Sequence, residues 1–246
     1  MATRTLPPAI NPSLLMLAGV ALASVVVSTF TQTPDAERQA HVAALKASLA
    51  QNQAALKQYS WVETTTIAVK GEVKKKEQQQ CYYGADGKVQ KTPVPGSPPA
   101  TPPEKGRGIK GAIVEHKVDE MKAYGEKAVA LVKEYVPPDQ QRIQAVLAAG
   151  GVSIQPGAAG LATITLKNYV KPDDAVTIGF DTTAKKIRSY NVQTYVEKPN
   201  DDVVTLAVTF SALGDGTSYP SQSVLDMTSK HIQVTVTNTG YRKSGR

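Results

Sequence analysis

The chain has 246 residues, 41% hydrophobic and 20% charged, with a mean hydropathy of −0.24, which excludes fibrous and multi-span membrane architectures. Lys and Arg number 28 against 21 Asp and Glu, giving a net charge of +7 and a pI near 9.3, a balance that favours acidic surfaces. The basic residues are scattered apart from Lys74-Lys75-Lys76 and the set Lys105, Arg107 and Lys110, and aromatics make up only 6%, so no nucleic-acid groove is expected.

No charged residue occurs from Thr5 to Pro34, Arg4 supplies a thin positive start, and Leu14 to Val27 is an apolar stretch of signal-peptide length. Ala21-Leu22-Ala23 offers the small-x-small pattern of a cleavage site, so residues 1–33 are read as leader and start of the mature chain, and residues 34–246 as one exported, periplasmic or secreted domain. The alternative is an uncleaved anchor, since Leu14 to Phe30 reaches the lower limit for spanning a bilayer. Cys81 is the only cysteine and lies far beyond this run, which rules out an intramolecular disulfide and a lipidated mature N-terminus. With no motif around it, it reads as a small buried hydrophobe.

Thr33-Pro34-Asp35 opens a helix: hydroxyl cap, proline where no N–H is needed, acid against the dipole. Val42, Leu45, Leu49 and Leu56 give it a narrow apolar stripe to about Gln58. At Tyr59 the period becomes two: Trp61, Glu63, Thr65, Ile67 and Val69 alternate with Val62, Thr64, Thr66 and Ala68 in a first strand. A second follows Lys70-Gly71 and runs to about Tyr83, and a third follows Ala85-Asp86-Gly87.

Six of the eleven residues from Pro93 to Pro103 are proline, and Gly106, Gly108 and Gly111 follow, so residues 93–111 are expected to form an exposed Pro/Gly-rich loop. A helix from about Ala112 to Tyr135 carries Val114, Val118, Met121, Gly125, Ala128, Val132 and Tyr135 on one stripe and is expected to lie as a lid on a flat apolar partner. Pro137-Pro138-Asp139 restarts the chain into a short helix with Ile143, Val146 and Leu147, ended by Gly150-Gly151. Beyond it, Ala162-Ile164-Leu166, Val176-Ile178-Phe180, Tyr190-Val192, Val204-Leu206-Val208-Phe210 and Ile232-Val234-Val236 alternate as strands of an antiparallel meander separated by Pro/Asp/Asn/Gly turns.

This order of elements, with Tyr59-Ser60-Trp61-Val62-Glu63 on the first strand, Tyr82-Tyr83 and Asp86-Gly87 in the hairpin, mid-chain helices and a long meander through Tyr219-Pro220 and Ile232-Val234-Val236, resembles the LolA/LolB-like lipoprotein-carrier superfamily. The resemblance spans residues 35–246 and lies in layout. It implies an α+β fold, mainly an antiparallel sheet curved into an incomplete barrel, covered by an N-terminal helix and a mid-chain helical lid. It further implies a cavity for lipid chains or lipoprotein acyl groups.

Chemistry-bearing motifs are sparse. His41, His116 and His231 stand far apart with no zinc spacing, and no cofactor is implied. Gly106-Arg107-Gly108-Ile109-Lys110-Gly111 spells a dinucleotide fingerprint but follows prolines instead of a strand, and its glycines read as loop hinges. Lys105, Arg107 and Lys110 remain a candidate anion contact at a helix start. With no recognisable nucleophile and base, a binding protein is expected rather than an enzyme. The leading expectation is an exported carrier or sensor whose cavity between sheet and helices, lined by Trp61, Val118, Met121, Ile178, Phe180 and Phe210, takes a lipid or acyl chain, with contact at a membrane surface. The alternative is a secreted interaction module with a filled core and a basic surface for an acidic envelope protein.

Overall fold

The computed structural model describes residues 51–94 and 109–244. The expected leader, the helix before residue 51 and residues 95–108 of the Pro/Gly loop lie outside them. Residues 51–56 end helix α1, and strands β1 (Tyr59–Val69), β2 (Glu72–Tyr83) and β3 (Val89–Pro93) follow. Helices α2 (Ile109–Val132) and α3 (Gln140–Ala148) precede β4 (Val152–Pro156), β5 (Leu161–Lys167), β6 (Ala175–Asp181), β7 (Lys186–Tyr195), β8 (Val203–Ala212), β9 (Ser218–Met227) and β10 (Ile232–Lys243). The ten strands form one sheet in the order β3-β2-β1-β10-β9-β8-β7-β6-β5-β4, antiparallel throughout. It is a long meander that does not close, so the incomplete barrel expected from the layout fits.

Local chemistry sets these strands. The Lys70-Gly71 turn has both residues at positive φ, the two-residue geometry that matches strand twist, and Val69 pairs directly with Glu72 across it. On one face, alternate residues of six strands are buried: Ile164 and Leu166, Val176 and Ile178, Tyr190 and Val192, Val204 to Val208, Leu225 and Met227, Ile232 to Val236. Ala128 and Val132 of α2, and Ile143 and Val146 of α3, pack into them. Each such side chain contributes about 1.5–3 kcal/mol by leaving water.

Turns alternate between the two ends of a meander, and α2 tracks one end. The Ser229 hydroxyl donates to Tyr124 Oη at 3.1 Å in the β9–β10 turn, Lys127 pairs with Glu197 at 3.6 Å in the β7–β8 turn, and the Tyr135 hydroxyl donates to Asp174 at 2.6 Å in the β5–β6 turn. The helix therefore runs along the strand ends at one rim while Ala128 and Val132 pack on the apolar face of the sheet. Gly125, Ala128, Val132 and Tyr135 are buried as the stripe requires, whereas Met121 is half-buried. The helix begins at Ile109, so the last three residues assigned to the loop are helical, and Tyr135 sits in the turn after it.

Two strands escape the alternation seen in sequence. In β9 the pairing jumps from Thr209–Gln222 to Phe210–Pro220, so Ser221 is an extra residue. That bulge moves the buried set from Pro220 to Ser223, Leu225 and Met227, an odd step that hides the period. In β10, Gly240 at φ +64° occupies a second bulge between the Val62–Thr239 and Ser60–Arg242 pairs. A glycine suits this left-handed position, and the added residue turns Tyr241 onto the face of Trp61.

Candidate functional site

The rim opposite α2 is where β1 begins, and α1 leads straight into it. Leu56 is buried there, and Asn52 bonds the start of β9 twice: its Nδ2 donates to Ser218 O at 3.0 Å and its Oδ1 accepts from Ser218 N at 2.6 Å. The Tyr59 hydroxyl donates to Asp215 at 2.6 Å, and Lys243 approaches the same carboxylate at 3.3 Å, so the β8–β9 turn is tied to the start of β1 and the end of β10. Those donors, with the Thr217 N–H, hold the Asp215 carboxyl well below the usual carboxylate range.

Around this rim five rings gather. Trp61 stacks on Tyr241 at 5.5 Å and 13°, and meets Tyr83 at 5.6 Å. Tyr241 also touches Tyr219 at 4.3 Å and Tyr59 at 6.3 Å. Beneath the rings the chemistry changes. Glu63, two residues along β1 on the same face, is only 1% exposed, and its Oε1 accepts from Lys91 Nζ on β3 at 2.5 Å. Asn238 of β10 is its direct cross-strand partner, 3% exposed, with Nδ2 donating to Pro220 O at 2.9 Å. Four buried polar atoms here have no hydrogen-bond partner among the described residues: Trp61 Nε1, Glu63 Oε2, Asn238 Oδ1 and the Tyr241 hydroxyl. Each such group costs about 1–3 kcal/mol when left alone, so a patch holding four is poorly explained by stability.

Cys81 faces Trp61 across β1 and β2 and is fully buried. Burial, and then the Glu63 carboxylate, push its thiol up to about 12. It is neutral and inert near neutral pH. A thiol reagent at pH 8 is expected to label no cysteine in the native protein and one equivalent in denaturant; rapid native labelling would show that the rim opens readily.

The six residues expected to line one cavity are dispersed. Ile178 is buried in the main core at 1% exposure; Phe180 on β6, paired with Ile187, and Phe210 on β8 are half-buried against the same core. Trp61 belongs to the aromatic group, and Met121 sits on α2 three residues before Tyr124, at the opposite rim. The Val118 side chain lies outside the described residues. So do Lys105 and Arg107, and Lys110 falls within α2 with its side chain likewise undescribed. Sequence reasoning placed Trp61 and Glu63 on one strand face but did not single out Glu63, and missed Lys91, Asn238 and Tyr241. A carboxylate in register with Trp61, Ile67 and Val69 was the available signal.

Among the described residues, no group of three or more His, Cys, Asp or Glu could hold a metal ion, and no helix is long and apolar enough to cross a membrane. No protein-family profile and no curated protein matches the sequence. Among solved structures, the fold is similar to the crystal structure of a LolA superfamily protein from Nitrosomonas europaea, with 7% identity and a TM-score of 0.33 over 80% of this chain and 94% of that one.

Proposed function

We propose that this protein is an exported carrier or sensor that binds an amphiphile, such as a lipid or a lipoprotein acyl chain, at the aromatic rim of its half-barrel, and that it acts by binding rather than catalysis. The observation that supports this most is the aromatic group with unpartnered polar atoms beneath it. Rings and aliphatic side chains suit an acyl chain, and a few convergent polar atoms suit its head. Export rests on the apolar stretch from Leu14 to Val27 and the Ala21-Leu22-Ala23 site. Trp61 is the only tryptophan and lies in the site, so its emission reports occupancy directly. Brominated stearic acid should quench it saturably, and native mass spectrometry of protein purified without detergent should show bound lipid. Protein that is consistently empty and unquenched would overturn the reading.

The filled core between the sheet and α2 and α3 favours the second reading, a packed interaction module. The same quenching experiment separates the two, because a packed module takes up no bromolipid.

A further inference from the structure

The unpartnered atoms form a complementary set. Glu63 Oε2 and Asn238 Oδ1, on residues paired directly across β1 and β10, are acceptors lacking donors. Trp61 Nε1 is a donor lacking an acceptor, and the Tyr241 hydroxyl can serve as either. Directly opposed residues place their Cβ atoms about 4.5–5.5 Å apart, so the two acceptors belong to neighbouring side chains on one face of the sheet. The charge there is already balanced, since Lys91 lies 2.5 Å from the other oxygen of Glu63 and its side chain is 11% exposed. A second cation would leave a net buried charge, and an anion would face two acceptors; both are disfavoured in a site that excludes water.

We infer that Glu63, Asn238, Trp61 and Tyr241 form a head-group site for an uncharged amphiphile carrying both a carbonyl oxygen and N–H or O–H hydrogens, as in a primary carboxamide or a glyceryl ester. The hydrogens meet Glu63 Oε2 and Asn238 Oδ1, and the carbonyl meets Trp61 Nε1 and the Tyr241 hydroxyl. The inference rests on the amphiphile-binding reading and adds the class of head group to it.

The test compares dodecanamide with dodecanoate at pH 8, two probes that share a chain and differ only at the head, each titrated against bromostearate quenching of Trp61. Wild-type protein should favour the amide by about tenfold, because a site built to hydrogen-bond a group rejects the analogue that cannot pair with it. Asn238→Leu and Tyr241→Phe should each bring the two probes toward equal affinity, the amide losing its advantage over the carboxylate. If Asn238→Leu fails to fold, Tyr241→Phe decides, because its hydroxyl has no partner among the described residues to lose. Equal affinities in the wild type, or a preference for dodecanoate, would overturn the head-group site and leave the carrier reading standing. Displacement by neither probe, with no bromostearate quenching, would overturn both.

Discussion

Replacing Lys91 by methionine should destabilise the protein by about 3–5 kcal/mol, because it strips the partner from a carboxylate that has nowhere else to turn. Glu63 is 1% exposed, its second oxygen is already unpartnered among the described residues, and Asn238 beside it presents an acceptor. Urea unfolding at pH 7 measures the loss. The double variant Glu63→Leu with Lys91→Met should recover most of it, since a buried pair exchanged as a unit for apolar groups of similar volume is often close to neutral. If the single variant unfolds within about 1 kcal/mol of wild type, the range typical of an exposed pair, the pair is not shielded from water in solution.

The second large effect is expected at Asp174. This carboxylate accepts from the N–H groups of Tyr169, Val170 and Lys171 at 2.5, 2.9 and 2.8 Å and from the Tyr135 hydroxyl at 2.6 Å. The Thr194 hydroxyl meets the same Tyr135 oxygen at 2.7 Å, and the Tyr190 hydroxyl donates to the Tyr135 carbonyl at 2.7 Å. One side chain thus joins the β5–β6 turn, strand β7 and the segment after α2. Asp174→Ala leaves three backbone donors unsatisfied together and takes one of two partners from the Tyr135 hydroxyl, and should cost about 4 kcal/mol or more. Tyr135→Phe removes the two bonds of its hydroxyl, to Asp174 and with Thr194, and should cost about 1–3 kcal/mol. Urea unfolding of the two variants tests the order; an equal loss would mean that the turn holds itself without the carboxylate.

Legibility in the sequence followed the physics of each element. The strands from β5 to β8 and β10 stood out because their apolar residues recur every second position through the buried part of each strand, the β10 bulge at Gly240 lying beyond that run. β9 did not, because Ser221 shifts the period in mid-strand. β4, only Val152–Pro156, is too short to show a period. The stripe of α2 was readable at Gly125, Ala128 and Val132, but its direction was not. A stripe states that a helix is covered, whereas the rim it follows is set by contacts at Ser229, Glu197 and Asp174 from three separate turns. The rim site was harder still. Among the described residues of the expected lining only Trp61 belongs to it, and its polar half comes from β1, β3 and β10, strands far apart in sequence that meet only through the sheet order.

That sheet order also leaves two free borders. β3 and β4 are the outermost strands, each of five residues, and each ends on a proline, Pro93 and Pro156. Proline offers no N–H, and a five-residue ladder presents few groups for a stranger to copy. A ten-stranded open sheet would otherwise be a template for end-to-end stacking of molecules into fibres. Here the borders, among the described residues, are poor templates for self-association.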